Sequence, residues 1–588
     1  MTIRRRLLLA IGALLVACGT APPEAIQSVQ PEAASGFQTK SAAVFERQAV
    51  VAAHPLAAQT GAAILRAGGN AVDAAIASQL VLGLVEPQSS GIGGGGFLIL
   101  WDGQRLHAYD GRETAPAAAP ETLFLRADGS PLPRDQAERS GLAVGVPGLL
   151  RLLETVHRGH GRLPWAELFA PAIRIAEQGF AMGPRLHELL RVDAHLRSEP
   201  AAAALFYGAD GQPLPVGSLL RNPAQAALLR RVAREGAEAF YGGAIADDLL
   251  RRVRGQARPG SLTLADLQAY RVERREPLCF AWRQRRLCGL PPPASGLLLN
   301  AQLLQMLDAA GPAAALMTAE GLHRYTEAAR LAIADRDLYA ADPAFVPAGA
   351  AVLPALLRPA YLAERAALIG PRAATTVLPG RPAGLSARLA PQAEVVEQGT
   401  THLSTVDAQG MAVALTSSVE AAFGTRMLLD GGSGLAGGYF LNNQLTDFAF
   451  RPRGADGQPV ANRVQGGKRP RSSMNPMLVF DAKGELEMVL GSPGGLAIPH
   501  YTARLLLLTL GEGQGLQAAV DAPNFIVVPP RLLVEAERVP AVLQQALSAR
   551  GHSTRESSLT SGLHALQRLG GRWIAAADPR REGQAAGD

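Results

Sequence analysis

Cysteine is scarce: three residues in 588, at Cys18, Cys279 and Cys288. That excludes a scaffold stapled by disulfides and a zinc or iron–sulfur centre built on thiolates. Aromatic residues make up 5% of the chain, and no basic stripe interleaves with them, which argues against a nucleic-acid-binding face. The formal net charge is only +6, and Arg4, Arg5 and Arg6 supply half of it. No internal repeat is present. Long apolar runs are also missing. Leu7–Ala17 would reach about 16 Å as a helix, against a hydrocarbon core of roughly 30 Å. Residues 71–85 carry Asp73 and Gln79, and the Leu505–Leu508 cluster is too short. Finally, no Gly-Lys-Ser/Thr follows the glycines at 93–96. They lead into the strand-like Phe97–Trp101 rather than a helix, which excludes a phosphate cradle.

What is present is a globular composition, 48% hydrophobic and 18% charged, with 63 glycines, many in clusters. Such clusters point to close backbone approaches. The chain opens with three arginines and an 11-residue apolar run ending Leu15-Val16-Ala17-Cys18-Gly19. This is the grammar of an export signal, and its end resembles the bacterial lipoprotein box, with Cys18 as the lipidation site. The expectation is a signal peptide over 1–17, a flexible tether over 18–45, and a location on the periplasmic side of a bacterial membrane, held by lipid alone. Residues 55–67 read as a helix closed by Gly68-Gly69, and Asn70 with Asp73 caps a second helix that stops before Pro87. Helical patterns dominate from about 145 to 340, residues 345–397 read as a mobile connector, and the chain turns β-rich after Thr400. Cys279 and Cys288 flank a short hairpin; they are either a disulfide or two buried thiols.

Residues 400–407 and 411–418 alternate as strands around Ala408-Gln409-Gly410. A three-residue hairpin loop with glycine in the left-handed third position makes Asp407 and Met411 the closing pair. Thr400 then lies across the ladder from Ser418, within reach of its hydroxyl.

These residues also carry a resemblance. Gly399-Thr400-Thr401-His402-Leu403-Ser404 is similar to the processing site of the γ-glutamyltransferase (glutathione hydrolase) family of N-terminal-nucleophile hydrolases. In the same order come His54-Pro55-Leu56-Ala57, Gly68-Gly69-Asn70-Ala71-Val72-Asp73, Gly91-Ile92-Gly93-Gly94-Gly95-Gly96, Asp110-Gly111-Arg112-Glu113-Thr114 and Gly145-Val146-Pro147-Gly148. Leu441-Asn442-Asn443-Gln444-Leu445-Thr446-Asp447, Lys468-Arg469-Pro470-Arg471-Ser472-Ser473 and Gly491-Ser492-Pro493-Gly494-Gly495 follow. The matches run from about 47 to 525.

The resemblance implies an α+β fold, a four-layer αββα sandwich formed jointly by two subunits of one precursor. Cleavage between Gly399 and Thr400 would give a large subunit (46–399) and a small one (400–588). Thr400 is implied as nucleophile, with its freed α-amine as base; Ser418 would orient the Thr400 hydroxyl. Gly494 and Gly495 would form the oxyanion hole. Arg112, Ser472 and Ser473 would take the substrate carboxylate and Asp447 the ammonium, and Gln444 matches the family's substrate-binding glutamine. Glu420 stands where many members carry asparagine; if the strand runs on past Ser418, Glu420 shares its face and joins Asp447 around the ammonium. No cofactor or metal is implied. The expected donors are glutathione and other γ-glutamyl compounds, and the acceptors are amino acids, peptides or water. The loop 449–467 has no aromatic residue after Phe450 to serve as a lid, which favours water. The alternatives are an acylase acting on glutaryl or β-lactam side-chain amides or on poly-γ-glutamate, and an unprocessed, catalytically silent lipoprotein.

Overall fold

The computed structural model describes residues 34–346, 349–385, 388–392 and 399–588. The signal segment, Cys18 and the tether before residue 34 lie outside the described residues. Two seven-stranded antiparallel sheets stack face to face. The first runs, in spatial order, Gln584–Gly587, Ala49–Ala52, Thr401–Val406, Ala412–Ser418, Gly95–Trp101, Leu106–Gly111 and Glu273–Arg275. The second runs Ala43–Phe45, Arg572–Ala577, His564–Leu569, Leu486–Gly491, Met477–Phe480, Arg285–Gly289 and Leu278–Trp282.

Strand alternation sorts side chains to opposite faces of a sheet. Phe97, Ile99, Ala412 and Ala414 face inward, against Leu478, Phe480, Val489 and Leu566 of the second sheet. Leu98, Leu100, Val413 and Leu415 face outward, under helices that include Pro55–Arg66, Ala71–Val85 and Leu149–His160. The second sheet is covered by Gly296–Ala309, Ala319–Tyr339 and Ile498–Leu506. The result is the αββα sandwich that the resemblance implied, and its strands come from both sides of residue 400.

Local signals were obeyed closely. Asn70 and Asp73 form a reciprocal capping box, and all fifteen residues of Ala71–Val85 are buried. The glycine cluster makes tight contacts: a Cβ on Gly94 would lie 2.1 Å from the Ser418 carbonyl oxygen. Cys279 and Cys288 sit opposite each other on adjacent strands and are bonded. The chain-entropy model gives a nine-residue separation about 2–3 kcal/mol of stability. Replacing both cysteines by alanine should therefore lower the unfolding free energy by that amount, measured by denaturant titration, and leave turnover unchanged.

One expectation is corrected. Within 345–397, read as a mobile connector, Gly349–Leu356 and Pro359–Ala366 are helices. Val352, Leu356, Tyr361 and Leu362 are buried in the core beside the second sheet. Pro354 and Pro359 had masked a helical pattern that packing enforces.

Candidate active site

The hairpin sets the geometry. Thr401 pairs with Ser417 and Val406 with Ala412, the register expected from the loop. Gly410 stands at φ +90° and the Asp407 N–H donates to the Met411 carbonyl at 3.0 Å. The Asp407 carboxylate fixes the turn, accepting from the backbone N–H groups of Gln409 and Met411. Thr400 therefore enters the sheet beside Ser418, both buried.

Around the intact Gly399–Thr400 bond two hydroxyls converge on one oxygen. Thr400 Oγ1 and Ser418 Oγ donate to the Gly399 carbonyl, at 2.6 and 2.5 Å. Ser418 thus addresses the carbonyl that would be cut. Removing one donor from a developing oxyanion costs roughly 10²–10³ in rate. Ser418→Ala should slow cleavage of the freshly made chain by about a hundredfold, followed as loss of the full-length band with time.

Thr400, Ser418, Arg112, Gln444, Asp447, Ser472 and Gly495 line a single pocket of about 190 Å³, with Met474 and Ile498 as its apolar wall. A larger pocket of about 260 Å³, bounded by Leu84, Phe180 and Phe206, has no ionisable side chain. Arg112 comes from the end of the Leu106–Gly111 strand and is buried. Its guanidinium forms an ion pair with Asp447 and donates to the carbonyls of Pro470 (3.2 Å) and Arg471 (3.1 Å). Gln444 Nε2 donates to Asp447 Oδ2 at 2.7 Å, within the short Gln444–Asp447 helical turn. The pocket wall therefore carries a cation and an anion side by side. Beneath them, burial pushes the Glu113 carboxyl up to about 8, against the pull of Arg112.

Three expected residues are placed differently. Ser473 is absent from the pocket lining; its hydroxyl accepts from Arg336 at 2.6 Å. Gly494 also lies behind the lining, at φ +130°, where a Cβ would meet the Tyr501 ring at 2.8 Å. Gly495, at φ +54°, is the one of the two that reaches the pocket. Glu420 is the main correction. The strand ends at Ser418 and Glu420 takes φ +79°, so the shared-face argument fails. Its carboxylate accepts from Arg134 Nη2 at 2.8 Å and does not line the pocket.

Sequence reasoning missed the polar side chains that hold the site. Thr401 Oγ1 donates to Glu86, which forms a buried ion pair with Arg185. Arg336 ties Ser473 to Ser295. Nothing in hydropathy or spacing marks a buried arginine, whereas Glu113 stood inside a quoted motif. Among the described residues, Asp102, His107 and His160 stand close enough together to share a cation. They lie at the far end of the Gly95–Gly111 hairpin from Thr400 and share no residue with its pocket.

Residues 57–588 match the family model described as Gamma-glutamyltranspeptidase. The chain is 33% identical to the glutathione hydrolase proenzyme of Bacillus subtilis (strain 168), over 99% of this chain and 98% of that one. It is 35% identical to the acylase ACY 1 proenzyme of Pseudomonas sp. (strain V22), over 91% and 92%. The structure superposes on cephalosporin acylase from Bacillus halodurans with a TM-score of 0.80 at 28% identity, covering 94% and 97% of the two chains.

Proposed function

The chain belongs to the gamma-glutamyltranspeptidase family, and on that premise we propose that it is a self-cleaving γ-glutamyltransferase and glutathione hydrolase with Thr400 as nucleophile. The observation that carries this reading is the Arg112–Asp447 pair in the wall of the Thr400 pocket. An α-amino acid head group offers a carboxylate and an ammonium, and such a pair can exchange its internal contact for one partner each. Arg112 would take the carboxylate with Ser472, and Asp447 with Gln444 the ammonium.

In self-cleavage, Thr400 Oγ1 attacks the Gly399 carbonyl carbon. The C–N bond breaks, the hydroxyl proton passes to the departing nitrogen, and an ester forms. Water then hydrolyses the ester to a Gly399 carboxylate and a free Thr400 with its α-amine and hydroxyl restored. An α-amine has a reference pKa of roughly 7.7–8.0, suited to act as base near neutral pH. In turnover it accepts the hydroxyl proton as Oγ1 attacks the γ-carbonyl, and the leaving amine departs with a proton. Water or an amino acid or peptide then takes the γ-glutamyl group. Gly495 supplies backbone where the oxyanion develops. No residue of 451–467 lines the pocket, which supports water as an acceptor. The small subunit stays with the large one, because both sheets draw strands from each side of the cut. The N-terminal signal and Cys18 support export and lipid anchoring on the periplasmic side of a bacterial membrane. Loss of radiolabelled fatty acid in Cys18→Ala tests that anchor, and undiminished label would remove it.

An acylase acting on glutaryl or β-lactam side-chain amides, or on poly-γ-glutamate, is the second reading. It is favoured by the engagement of Glu420 with Arg134, which leaves a single carboxylate in the pocket for an ammonium. Purified protein assayed with γ-glutamyl and glutaryl anilides, with and without a dipeptide acceptor, separates the two. Faster release from the γ-glutamyl anilide supports the first reading; preference for the glutaryl amide sinks it.

A further inference from the structure

We infer that the Glu420–Arg134 ion pair is a positioning device for self-cleavage, holding the stretch of backbone against which the Gly399 carbonyl is set. The inference rests on the self-cleavage reading above. Glu420 is not glycine, yet it stands at φ +79°, a conformation that persists only where the surroundings impose it. Two anchors impose it. The buried carboxylate of Glu420 is held by Arg134, which is itself fixed by Glu138 (2.8 Å) and by the Thr446 carbonyl (3.2 Å). On the far side, the Ala421 N–H donates to Asn443 Oδ1 at 3.0 Å.

The backbone so held touches the cleavage site twice. The Glu420 N–H donates to Ser418 Oγ at 2.8 Å, and Ser418 Oγ donates in turn to the Gly399 carbonyl at 2.5 Å. Donation into the serine oxygen polarises its O–H and strengthens the bond to the oxygen on which negative charge will build. A Cβ on Gly399 would lie only 2.5 Å from the Glu420 carbonyl oxygen, so the backbone admits only glycine before Thr400. A carboxylate that does not line the pocket thus acts on the chemistry through its own main chain. This assigns Glu420 a part in maturation in place of the ammonium-binding part expected from strand alternation.

The test uses the full-length chain. Arg134→Met removes the anchor, Glu420→Gln keeps the shape and removes the charge, and Arg134→Lys keeps the charge without the fork. Cleavage of freshly made protein is followed as the first-order loss of the full-length band. Arg134→Met and Glu420→Gln should slow it roughly tenfold or more, with partial recovery in Arg134→Lys. Each substitution is also placed in an uncleavable Thr400→Ala chain, where Arg134→Met should lower the Tm, because it leaves a buried carboxylate unpaired, while Glu420→Gln, which keeps the hydrogen-bonding shape, should lower it little. The protein that does mature should keep the wild-type ratio of kcat/KM for γ-glutamyl over glutaryl anilide. Cleavage at the wild-type rate in both variants overturns the inference, as does slowing confined to the variant whose Tm falls. A changed donor ratio with unchanged cleavage returns Glu420 to the substrate ammonium. Wild-type protein that never cleaves overturns the self-cleavage reading itself, a different result from wild-type protein that cleaves while the variants keep pace with it.

Discussion

Thr400→Ala should remain a single chain and show no turnover above background with any γ-glutamyl donor. One hydroxyl serves both reactions: it donates to the Gly399 carbonyl in the uncut chain, and it stands in the pocket beside Arg112 and Asp447. Alanine leaves Ser418 on the scissile carbonyl with nothing to attack it. The base is lost as well, because the Thr400 nitrogen stays an amide and an amide does not accept a proton near neutral pH. Thr400→Ser keeps the hydroxyl and the future amine and should still cleave, more slowly. The check is a denaturing gel alongside an anilide assay; two fragments from Thr400→Ala would remove Thr400 from the account.

The second large effect is at Arg112. Arg112→Lys should mature normally, since no hydrogen bond of Arg112 reaches Gly399 or Thr400. Its kcat/KM for γ-glutamyl anilide should fall by roughly a hundredfold. Lysine keeps the charge and gives up the planar fork that can hold Asp447 or a carboxylate while also bonding the Pro470 and Arg471 carbonyls. Losing one charge-assisted bond of about 1.5–3 kcal/mol and the alignment it enforces accounts for a drop of this size. Normal maturation with unchanged kcat/KM would show that the substrate carboxylate is held elsewhere.

The parts of the site that were legible in the sequence are those fixed by local geometry. Asp407, Gly410 and Met411 determine the hairpin loop, and the loop determines the register that sets Thr400 beside Ser418. Asn70 and Asp73 announce the helix cap, and strand alternation separates the two faces of the first sheet. What failed depends on contacts distant in the chain. Nothing in Ser418-Val419-Glu420-Ala421 marks a turn, because the positive φ of Glu420 is imposed by Arg134, 286 residues away in the chain. The buried ion pair of Glu86 with Arg185, and the bonds of Arg336 to Ser295 and Ser473, are invisible to hydropathy, which assigns charged residues to the surface. Arg112 and Asp447 were legible as a site only through the resemblance; their direct pairing, which makes the pocket wall complementary to a zwitterion, needed coordinates.

The central claim is that Thr400 becomes an N-terminus and then carries the acyl group. The most direct test is intact-mass measurement of the purified protein, before and just after mixing with a γ-glutamyl anilide. The account predicts a fragment running from Thr400 to Asp588 that gains one γ-glutamyl group, mapped to Thr400 and lost on standing in water. A single full-length chain, a cut at another bond, or an adduct on any other residue would contradict it.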